Sequence, residues 1–311
     1  MSEVNLREAD KLEVTVLTDN YADALLENTV IATRARIPTP NALLAEHGLS
    51  CLLKVYVGPE EHLVLLDTGI SPTCLLHNAD AMGINLRNIE SMVLSHGHFD
   101  HFGGLMGFLD RAKRGITLTL HPDAFLEFRL NDPVLERLVY LPRLDEVALK
   151  QTGVVLHKEK EASTLVSDLV LITGDVERVT DFEKGFPWME AKIDGEWVVD
   201  PFHHDQGVAV KVKNRGLVVV GGCSHAGITN TVKHAQKVAR MDKVHAILGG
   251  FHLSGKLFEP IIGSTIKEMK KIGPDIIVPM HCTGWKAINK FAEEMPEQFI
   301  LNGVGTTYVF Q

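Results

Sequence analysis

The run from His96 to His101, with the sequence HGHFDH, constrains this chain more than any other feature. It follows Val93-Leu94-Ser95, which has the pattern of a buried strand end, and it brings four ionisable side chains into six residues. Imidazole nitrogen binds zinc, iron and other transition metals, and a carboxylate adds a charged oxygen ligand. A histidine-rich surface loop is the alternative, but ionisable groups between a buried strand and an apolar helix need a partner. The run therefore predicts a metal site.

The spacing within the run predicts more than one metal. In an extended segment His96, His98 and Asp100 project to one side, and His101 turns towards the neighbouring position. Such a turn can supply two adjacent ions, so we expect two divalent metals, zinc first and iron or manganese as alternatives. Asp100 is also the candidate catalytic residue, because it could orient a metal-bound water as well as bind metal.

Two later strands end in sequences that could complete the site. Residues 217–221 run into Gly222-Cys223-Ser224-His225, and residues 276–279 run into Met280-His281. One motif cannot fill two coordination shells, so His225 and His281 are predicted as further ligands; a histidine with an ordinary hydrogen bond at a strand end is the alternative for each. Cys223 is either a thiolate ligand or a small buried thiol, and we favour the thiol.

Four residues are predicted to contact the substrate. His252 follows a strand and a glycine pair, and His47 and His204 lie in polar segments that could reach the site. Gly227 begins a helix predicted over 226–240, and a helix N-terminus attracts phosphate or carboxylate groups. His203 and His204 also remain open as metal ligands.

The rest of the chain alternates short β-branched runs with helical stretches, which indicates a mixed α/β fold. We expect one domain over residues 1–311, a four-layer αββα sandwich, with an irregular elaboration at about 122–201 where prolines interrupt the pattern. Ser71-Pro72 is typical of a helix start, and we expect a helix from there to about Met82. The candidate strands cover residues 12–17, 50–57, 62–67, 91–94, 116–120, 169–173, 207–212, 217–221, 244–248 and 276–279.

Charge, apolar runs and cysteine spacing argue against several classes of partner and location. The formal net charge of −9 and the absence of a basic stripe disfavour a nucleic-acid partner. No apolar run reaches membrane-spanning length and the N-terminus has no apolar signal segment, so we expect a cytoplasmic protein with no membrane partner. The four scattered cysteines are expected to be reduced thiols. The sequence leaves the oligomeric state open.

The run His96 to His101 resembles the H-x-H-x-D-H signature of the metallo-β-lactamase superfamily, and the turn Asp67-Thr68-Gly69 lies where that superfamily usually has one. Segments 46–50, 222–227, 249–253 and 281–284 resemble the branch of 7,8-dihydropterin-6-methyl-4-(β-D-ribofuranosyl)aminobenzene-5′-phosphate synthases. The resemblance implies an αββα sandwich with the metals at one edge. It implies His96, His98 and His225 around one metal, and Asp100, His101 and His281 around the other.

The chain also departs from the superfamily pattern. β-Lactamases and glyoxalase-type hydrolases place a ligand histidine before the strand that here begins near Gly207, and a bridging Asp or Cys after the following strand. His203 or His204 could take the first place, and Cys223 lies near the second. No bridging carboxylate is evident, so we do not expect β-lactamase activity.

These features favour a metal-dependent hydrolase that activates water against an ester, thioester or phosphoester. The alternative implied by the resemblance is a transferase, in which an aminobenzene ribofuranosyl phosphate attacks a pterin pyrophosphate and pyrophosphate leaves. A persulfide dioxygenase with one iron is less well supported because His281 suggests a second metal, and a non-catalytic metal-binding protein is a further alternative. The substrate is expected to be a small anionic or phosphorylated molecule.

Overall fold

The computed structural model describes residues 4–38 and 40–311. Its strands are β1 (Glu8–Ala9), β2 (Lys11–Thr18), β3 (Ala32–Arg34), β4 (Ser50–Val57), β5 (Glu60–Leu66), β6 (Ser91–Val93), β7 (Thr117–Leu120), β8 (Phe128–Asp132), β9 (Arg137–Tyr140), β10 (Val155–Lys158), β11 (Ser163–Leu165), β12 (Val170–Ile172), β13 (Met189–Ile193), β14 (Glu196–Val199), β15 (Val208–Val212), β16 (Gly216–Gly221), β17 (Val244–Gly250), β18 (Ile276–Met280) and β19 (Thr306–Phe310). Its α-helices are α1 (Pro72–Ala81), α2 (Phe99–Phe102), α3 (Leu105–Arg111), α4 (Glu146–Gln151), α5 (Ile228–Ala239), α6 (Ile262–Ile272) and α7 (Trp285–Glu294). All the candidate strands are present, most within one or two residues of the predicted bounds.

Two large sheets pack face to face. The first has the order β10-β7-β6-β5-β4-β2-β19-β3, and the second has the order β11-β12-β15-β16-β17-β18, with β1 paired to β15. Alternate residues of β2, such as Leu12 and Val14, point into the space between the sheets and are fully buried there with Val210 and Val218 from the second sheet. The main hydrophobic core therefore lies between the two sheets.

Helices cover the outer face of each sheet. Apolar residues of α1 and α3 pack on the first sheet, and those of α5, α6 and α7 pack on the second. Strands β16 and β17 are buried along their whole length because both faces of the second sheet are covered. This arrangement is the predicted four-layer αββα sandwich.

The segment at about 122–201, predicted as an irregular elaboration, contributes strands to all three sheets. It contributes a third sheet, β14-β13-β8-β9, but β10 joins the first large sheet and β11 and β12 join the second. Leu171 and Ile172 of β12 pair with Ala209 and Val208 of β15. Part of the segment therefore belongs to the sandwich itself, and only the third sheet is an addition.

Both predicted helix starts are close to those observed. The Ser71 side chain accepts a hydrogen bond from the Cys74 amide, with Pro72 in the first helical turn. The helix predicted over 226–240 is α5. Among the described residues, none of the helices is long and apolar enough to cross a membrane. The single domain and the cytoplasmic location stay predictions.

Candidate metal centre

The candidate site lies at one edge of the sandwich, where several strands end together. Strands β5, β6 and β2 of the first sheet run in one direction and end at this edge, and β16, β17 and β18 of the second sheet are parallel to one another. The loop after β6 carries the HGHFDH run, and the loops after β16 and β18 carry His225 and His281. Six predicted ligands from three separate loops thus meet at one edge.

His96, His98 and His225 form one group. Their ring centroids lie 4.7 to 4.9 Å from one another, and all three residues are buried. Nε2 of His96, Nε2 of His98 and both ring nitrogens of His225 are buried without a hydrogen-bond partner in the described part of the chain. A buried polar atom without a partner is costly, and a cation held between these rings would satisfy them.

Asp100, His101 and His281 form the second group. The Nε2 atoms of His101 and His281 are 3.2 Å apart, and Oδ2 of Asp100 lies 3.4 Å from Nε2 of His281 and 3.7 Å from Nε2 of His101. The two imidazoles and the carboxylate therefore point at one place. The structure brings together the two sets of three residues that the resemblance implied.

Cys223 lies between the two groups. Its Sγ is 3.2 Å from Nε2 of His101 and 3.3 Å from Nε2 of His281, and it also falls within 4.8 Å of ligand atoms of His96 and His225. The sequence favours a small buried thiol here, and Cys223 is buried. Its sulfur is also close enough to both groups to be shared between two ions.

Hydrogen bonds from behind fix the orientation of the rings. Nδ1 of His101 donates to Oδ2 of Asp67 at 2.7 Å, and Nδ1 of His96 donates to the Ser95 hydroxyl, which in turn donates to Asp67. On the other side, Nδ1 of His281 donates to Oδ1 of Asn20. A proton on Nδ1 leaves the Nε2 lone pair of each ring free for a metal.

A second buried carboxylate positions the backbone of His281. Oδ1 of Asp19 accepts the His281 amide at 2.8 Å, and Oδ2 of Asp19 accepts from the side chain of Asn302. His281 has a φ of 52°, a left-handed conformation that is unfavourable for a side chain of this size. The bond from Asp19 helps to hold this strained backbone in place.

The electrostatics of the first group favour metal ligation. Burial lowers the pKa of His98 to about 3, and burial together with the neighbouring rings lowers the pKa values of His96 and His225 well below the ordinary range. All three are neutral at pH 7, which is the form that binds a metal.

The second group combines opposite charges. Burial alone would lower the pKa of His101, but the carboxylates of Asp100 and Asp67 outweigh it and raise that pKa to about 9. Burial alone would raise the pKa of Asp100, but His101 and His281 lower it overall. A cation bound here would balance the negative charge of the carboxylates, as the proton on His101 does without it.

A cavity of about 410 Å³ opens onto the candidate centre. His47 lies at its mouth, with Nε2 3.4 Å from Oδ2 of Asp100, and His252 lies deeper, with its ring 4.1 Å from that of His225. Two of the four predicted substrate contacts therefore line the cavity.

The other two predicted contacts do not line this cavity, although His204 lies beside the first group, where it, His98 and Asp200 are close enough together to hold an ion. His204 is buried; its Nδ1 accepts the Gly97 amide at 3.0 Å and its Nε2 is 3.1 Å from Oδ2 of Asp200, so both nitrogens are engaged with the protein. Gly227 lines an adjoining cavity of about 220 Å³, which shares His225 and His252 with the first. His203 pairs with Asp175 and lines a third cavity, so the structure does not bring it to the ligand groups.

The N-terminus of α5 was expected to hold an anion from the substrate, and two carboxylates of the protein occupy it instead. Glu183 accepts the amides of Thr229 and Asn230 at 2.9 and 3.0 Å, and Asp205 accepts the Ala226 amide at 2.8 Å. A Cβ atom on Gly227 would lie 2.3 Å from the Glu183 side chain. These contacts use the donors that a phosphate would need, so an anion is better accommodated beside the metal ligands.

Comparison with known proteins agrees with this geometry. The family model described as the metallo-beta-lactamase superfamily matches residues 55–281. The chain belongs to this superfamily. A curated relative from Methanocaldococcus jannaschii, the 7,8-dihydropterin-6-methyl-4-(β-D-ribofuranosyl)-aminobenzene-5′-phosphate synthase, is 31% identical over 299 residues, which cover 95% of this chain and 96% of the relative. This superfamily member is thus an enzyme with a named synthase among its relatives.

Solved structures show the same fold. Tm1679, described as a metal-dependent hydrolase of the β-lactamase superfamily, has a TM-score of 0.72 at 24% identity, with 96% of this chain and 98% of that chain covered. Unliganded yeast PDE1 has a TM-score of 0.55 at 11% identity, with 98% and 100% covered. At these identities the likeness supports the αββα architecture alone.

Proposed function

We propose that this enzyme is a synthase that joins an aminobenzene ribofuranosyl phosphate to the methyl carbon of a dihydropterin pyrophosphate and releases pyrophosphate. The observation that carries this proposal is the 31% identity to the M. jannaschii synthase over almost the whole of both chains. The product of that relative contains the two parts that such a reaction would connect. The transferase alternative is therefore favoured here over the simple hydrolase.

The donor set supports a pair of divalent ions, which we propose to be zinc. His96, His98 and His225 would hold one ion and Asp100, His101 and His281 the other, with Cys223 shared between them; imidazole and thiolate ligands suit zinc. When bound, such ions would neutralise charge on a pyrophosphate leaving group. Among the described residues, those that line the cavity include neither Lys nor Arg, so these ions would supply positive charge for an anionic substrate.

The opposite wall of the cavity suits a flat ring. Leu130, Leu141, Phe186 and Met189 line it, and they come from the third sheet and its connections. Apolar and aromatic side chains bind the faces of ring systems, while a few polar groups fix their orientation. This wall would hold a pterin or aminobenzene ring with its reacting carbon towards the metal ligands.

The chain's own residues can orient the reacting groups. Oδ2 of Asp100 lies 3.4 Å from Nε2 of His47 and 3.4 Å from Nε2 of His281, so this ionised carboxylate can accept a hydrogen bond from an attacking amine and orient it. The same carboxylate could instead hold a water molecule. That geometry favours phosphoester hydrolysis as a second candidate function.

One experiment separates the two functions. The zinc-loaded enzyme is incubated with dihydropterin-6-methyl pyrophosphate, with and without 4-(β-D-ribofuranosyl)aminobenzene 5′-phosphate, and both pyrophosphate and the coupled product are measured. A synthase releases pyrophosphate only when the aminobenzene compound is present, in equal amount to the product. Pyrophosphate release without that compound would support the hydrolase, and no reaction of either kind would refute the synthase and a hydrolase that acts on this pyrophosphate. Elemental analysis of the same sample should give about two metal ions per chain.

A further inference from the structure

A third set of donor atoms lies beside the two ligand groups. Cys223, His252 and Cys282 each place one sulfur or nitrogen within 4.8 Å of the other two. They follow β16, β17 and β18, three parallel neighbours in the second sheet, so each strand delivers one donor to the same edge. The roles assigned above use Cys223, but they leave Cys282 without a function and do not assign the ring nitrogens of His252.

His252 has the features of a ligand rather than of a packing residue. Its Nδ1 is buried and has no hydrogen-bond partner in the described part of the chain. Its φ is 45°, a strained conformation that persists only where the surrounding structure enforces it. The rings of His225 and Phe258, at 4.1 and 4.4 Å, fix its orientation.

Cys282 completes the set and can be reached from solvent. Its Sγ lies 3.4 Å from the Cys223 carbonyl oxygen, and both Cys282 and His252 line the 410 Å³ cavity. Gly250 leaves the space that the thiol occupies, because a Cβ atom at that position would lie 2.7 Å from Sγ of Cys282. An ion that enters the cavity therefore meets two thiols and an imidazole.

We propose that Cys223, His252 and Cys282 form a third metal-binding position, for a thiophilic ion such as Zn²⁺ or Cd²⁺. Two sulfur donors and one nitrogen donor match the preference of these ions, and the fourth position faces the cavity. Because Cys223 is shared with the proposed dinuclear centre, the third ion binds more weakly than the first two. Its place in the cavity means that excess metal blocks the substrate.

The test measures metal binding and needs no turnover. Reduced protein is dialysed against increasing Zn²⁺, and the bound metal is counted. The unmodified protein takes up two ions tightly and a third more weakly, and Cys282→Ser weakens the third at least about 10-fold while the first two stay bound. Cys74→Ser is the matched control, since this buried thiol contacts the Leu44 carbonyl away from the cavity; it keeps all three ions.

Cobalt(II) provides a spectroscopic readout of the same position. Thiolate ligation to Co²⁺ gives an intense charge-transfer band in the near ultraviolet, so the third equivalent adds to this band in the unmodified protein and not in Cys282→Ser. His252→Ala serves as a second variant if the serine variant does not fold. Uptake of only two ions by the unmodified protein overturns the proposal. So does a third ion that binds Cys282→Ser and His252→Ala as tightly as the unmodified protein. Neither result bears on the proposed synthase reaction.

Discussion

Asp67 connects both halves of the HGHFDH run through a single carboxylate. It accepts hydrogen bonds from the Ser95 amide, the Ser95 hydroxyl and Nδ1 of His101, and it is fully buried. Asp67 itself has a φ of 58°, so the turn after β5 is strained to present this side chain. A carboxylate that orients ligating histidines in this way raises metal affinity although it does not contact the metal.

We predict that Asp67→Asn weakens metal binding by about 10- to 100-fold. The amide has one oxygen acceptor, and its NH₂ group would face Nδ1–H of His101 or the donors of Ser95. The measurement is competition with a chelator of known affinity. Asp80→Asn, at an exposed carboxylate of α1 paired with Arg111, is the control and should bind metal normally. Equal affinity in the two variants would show that Asp67 has only a structural role.

We also predict that Asp100→Asn lowers turnover by about 100-fold or more while the protein stays folded. The substitution keeps the side-chain volume but removes the negative charge next to His101 and His281. Turnover, circular dichroism and bound metal are measured on the same preparation. Asp110→Asn, at an exposed position of α3, should retain full activity. Near-normal rates at full metal occupancy would remove Asp100 from the catalytic assignment.

The residues of the candidate site were predictable to different degrees. The density of ligands in HGHFDH made His96, His98, Asp100 and His101 evident without a structure. The sequence marked Cys223 only as one of two alternatives, because the position of its sulfur depends on how β16, β17 and β18 are arranged and on the left-handed φ of 59° at Ser224. Local sequence does not specify either feature.

At the scale of secondary structure, α5 is tied to the segment that precedes β13. Besides the bonds from the helix amides, Glu183 accepts from the Thr180 hydroxyl, and Oδ1 of Asn230 accepts the amides of Val179 and Thr180. The loop that carries Cys223 and His225 leads directly into this helix. Residues 179–183 therefore stabilise the start of α5, and through it the loop that carries Cys223 and His225.

We predict that Glu183→Ala lowers the free energy of unfolding by about 1–2 kcal/mol, the usual cost of losing a helix N-terminal acceptor. Because the loop that carries Cys223 and His225 leads directly into α5, a weaker helix start should lower metal affinity as well. Urea denaturation and chelator competition measure the two effects. Glu183→Gln keeps one oxygen acceptor and should lose less than the alanine variant. Unchanged denaturation midpoints in both variants would contradict the assigned cap.

The strands of the middle segment show where sequence patterns stop being informative. β10 is Val155–Lys158, a short run with mostly exposed side chains, and its pattern does not reveal that it pairs in parallel with β7. In the third sheet, β8 and β9 form one hairpin and β13 and β14 form another, and the pairing of β8 with β13 joins hairpins that are distant in sequence. Local periodicity predicts a strand but not its partner, because pairing is decided by long-range packing.

At the scale of the whole molecule, the metal-free protein encloses several imidazoles that resist protonation. Burial lowers the pKa of His98 to about 3 and that of His121 to about 4, and it also lowers those of His96 and His225. The unfolded chain takes up these protons near pH 6.5. Between about pH 6.5 and pH 5 the unfolded state therefore binds more protons than the folded state.

We predict that the metal-free protein loses stability on acidification from about pH 7 to about pH 5. Burial raises the pKa of Asp205 to about 6 and also raises the pKa values of Asp19 and Glu183, so these three carboxyl groups act in the opposite direction. We expect the six imidazoles with lowered pKa values, which include His47 and His234, to outweigh them. The stabilisation from His101, with a pKa raised to about 9, is complete below about pH 6.5 and is lost as the pH rises towards 9. Urea denaturation at several pH values measures the trend.

A matched pair of variants tests the cause of this pH dependence. His98→Gln should flatten the dependence, since a group that takes up a proton only on unfolding is removed. His157→Gln, at an exposed position of β10, should leave it unchanged. A metal-free protein whose stability rises towards pH 5 would show that the buried imidazoles do not control it.

The contacts of Asp19 have a consequence for the order in which the molecule is made. Asp19 follows β2, an early strand, yet it bonds His281 and Asn302, and β2 itself pairs with β19 near residue 310. A nascent chain that has emerged only as far as α5 already carries His96, His98 and His225. It still lacks His281, and it lacks β19, which lies between β2 and β3 in the first sheet. On the proposed ligand assignment, the three-histidine group is therefore synthesised first, and the second position lacks His281 until β18 has been made.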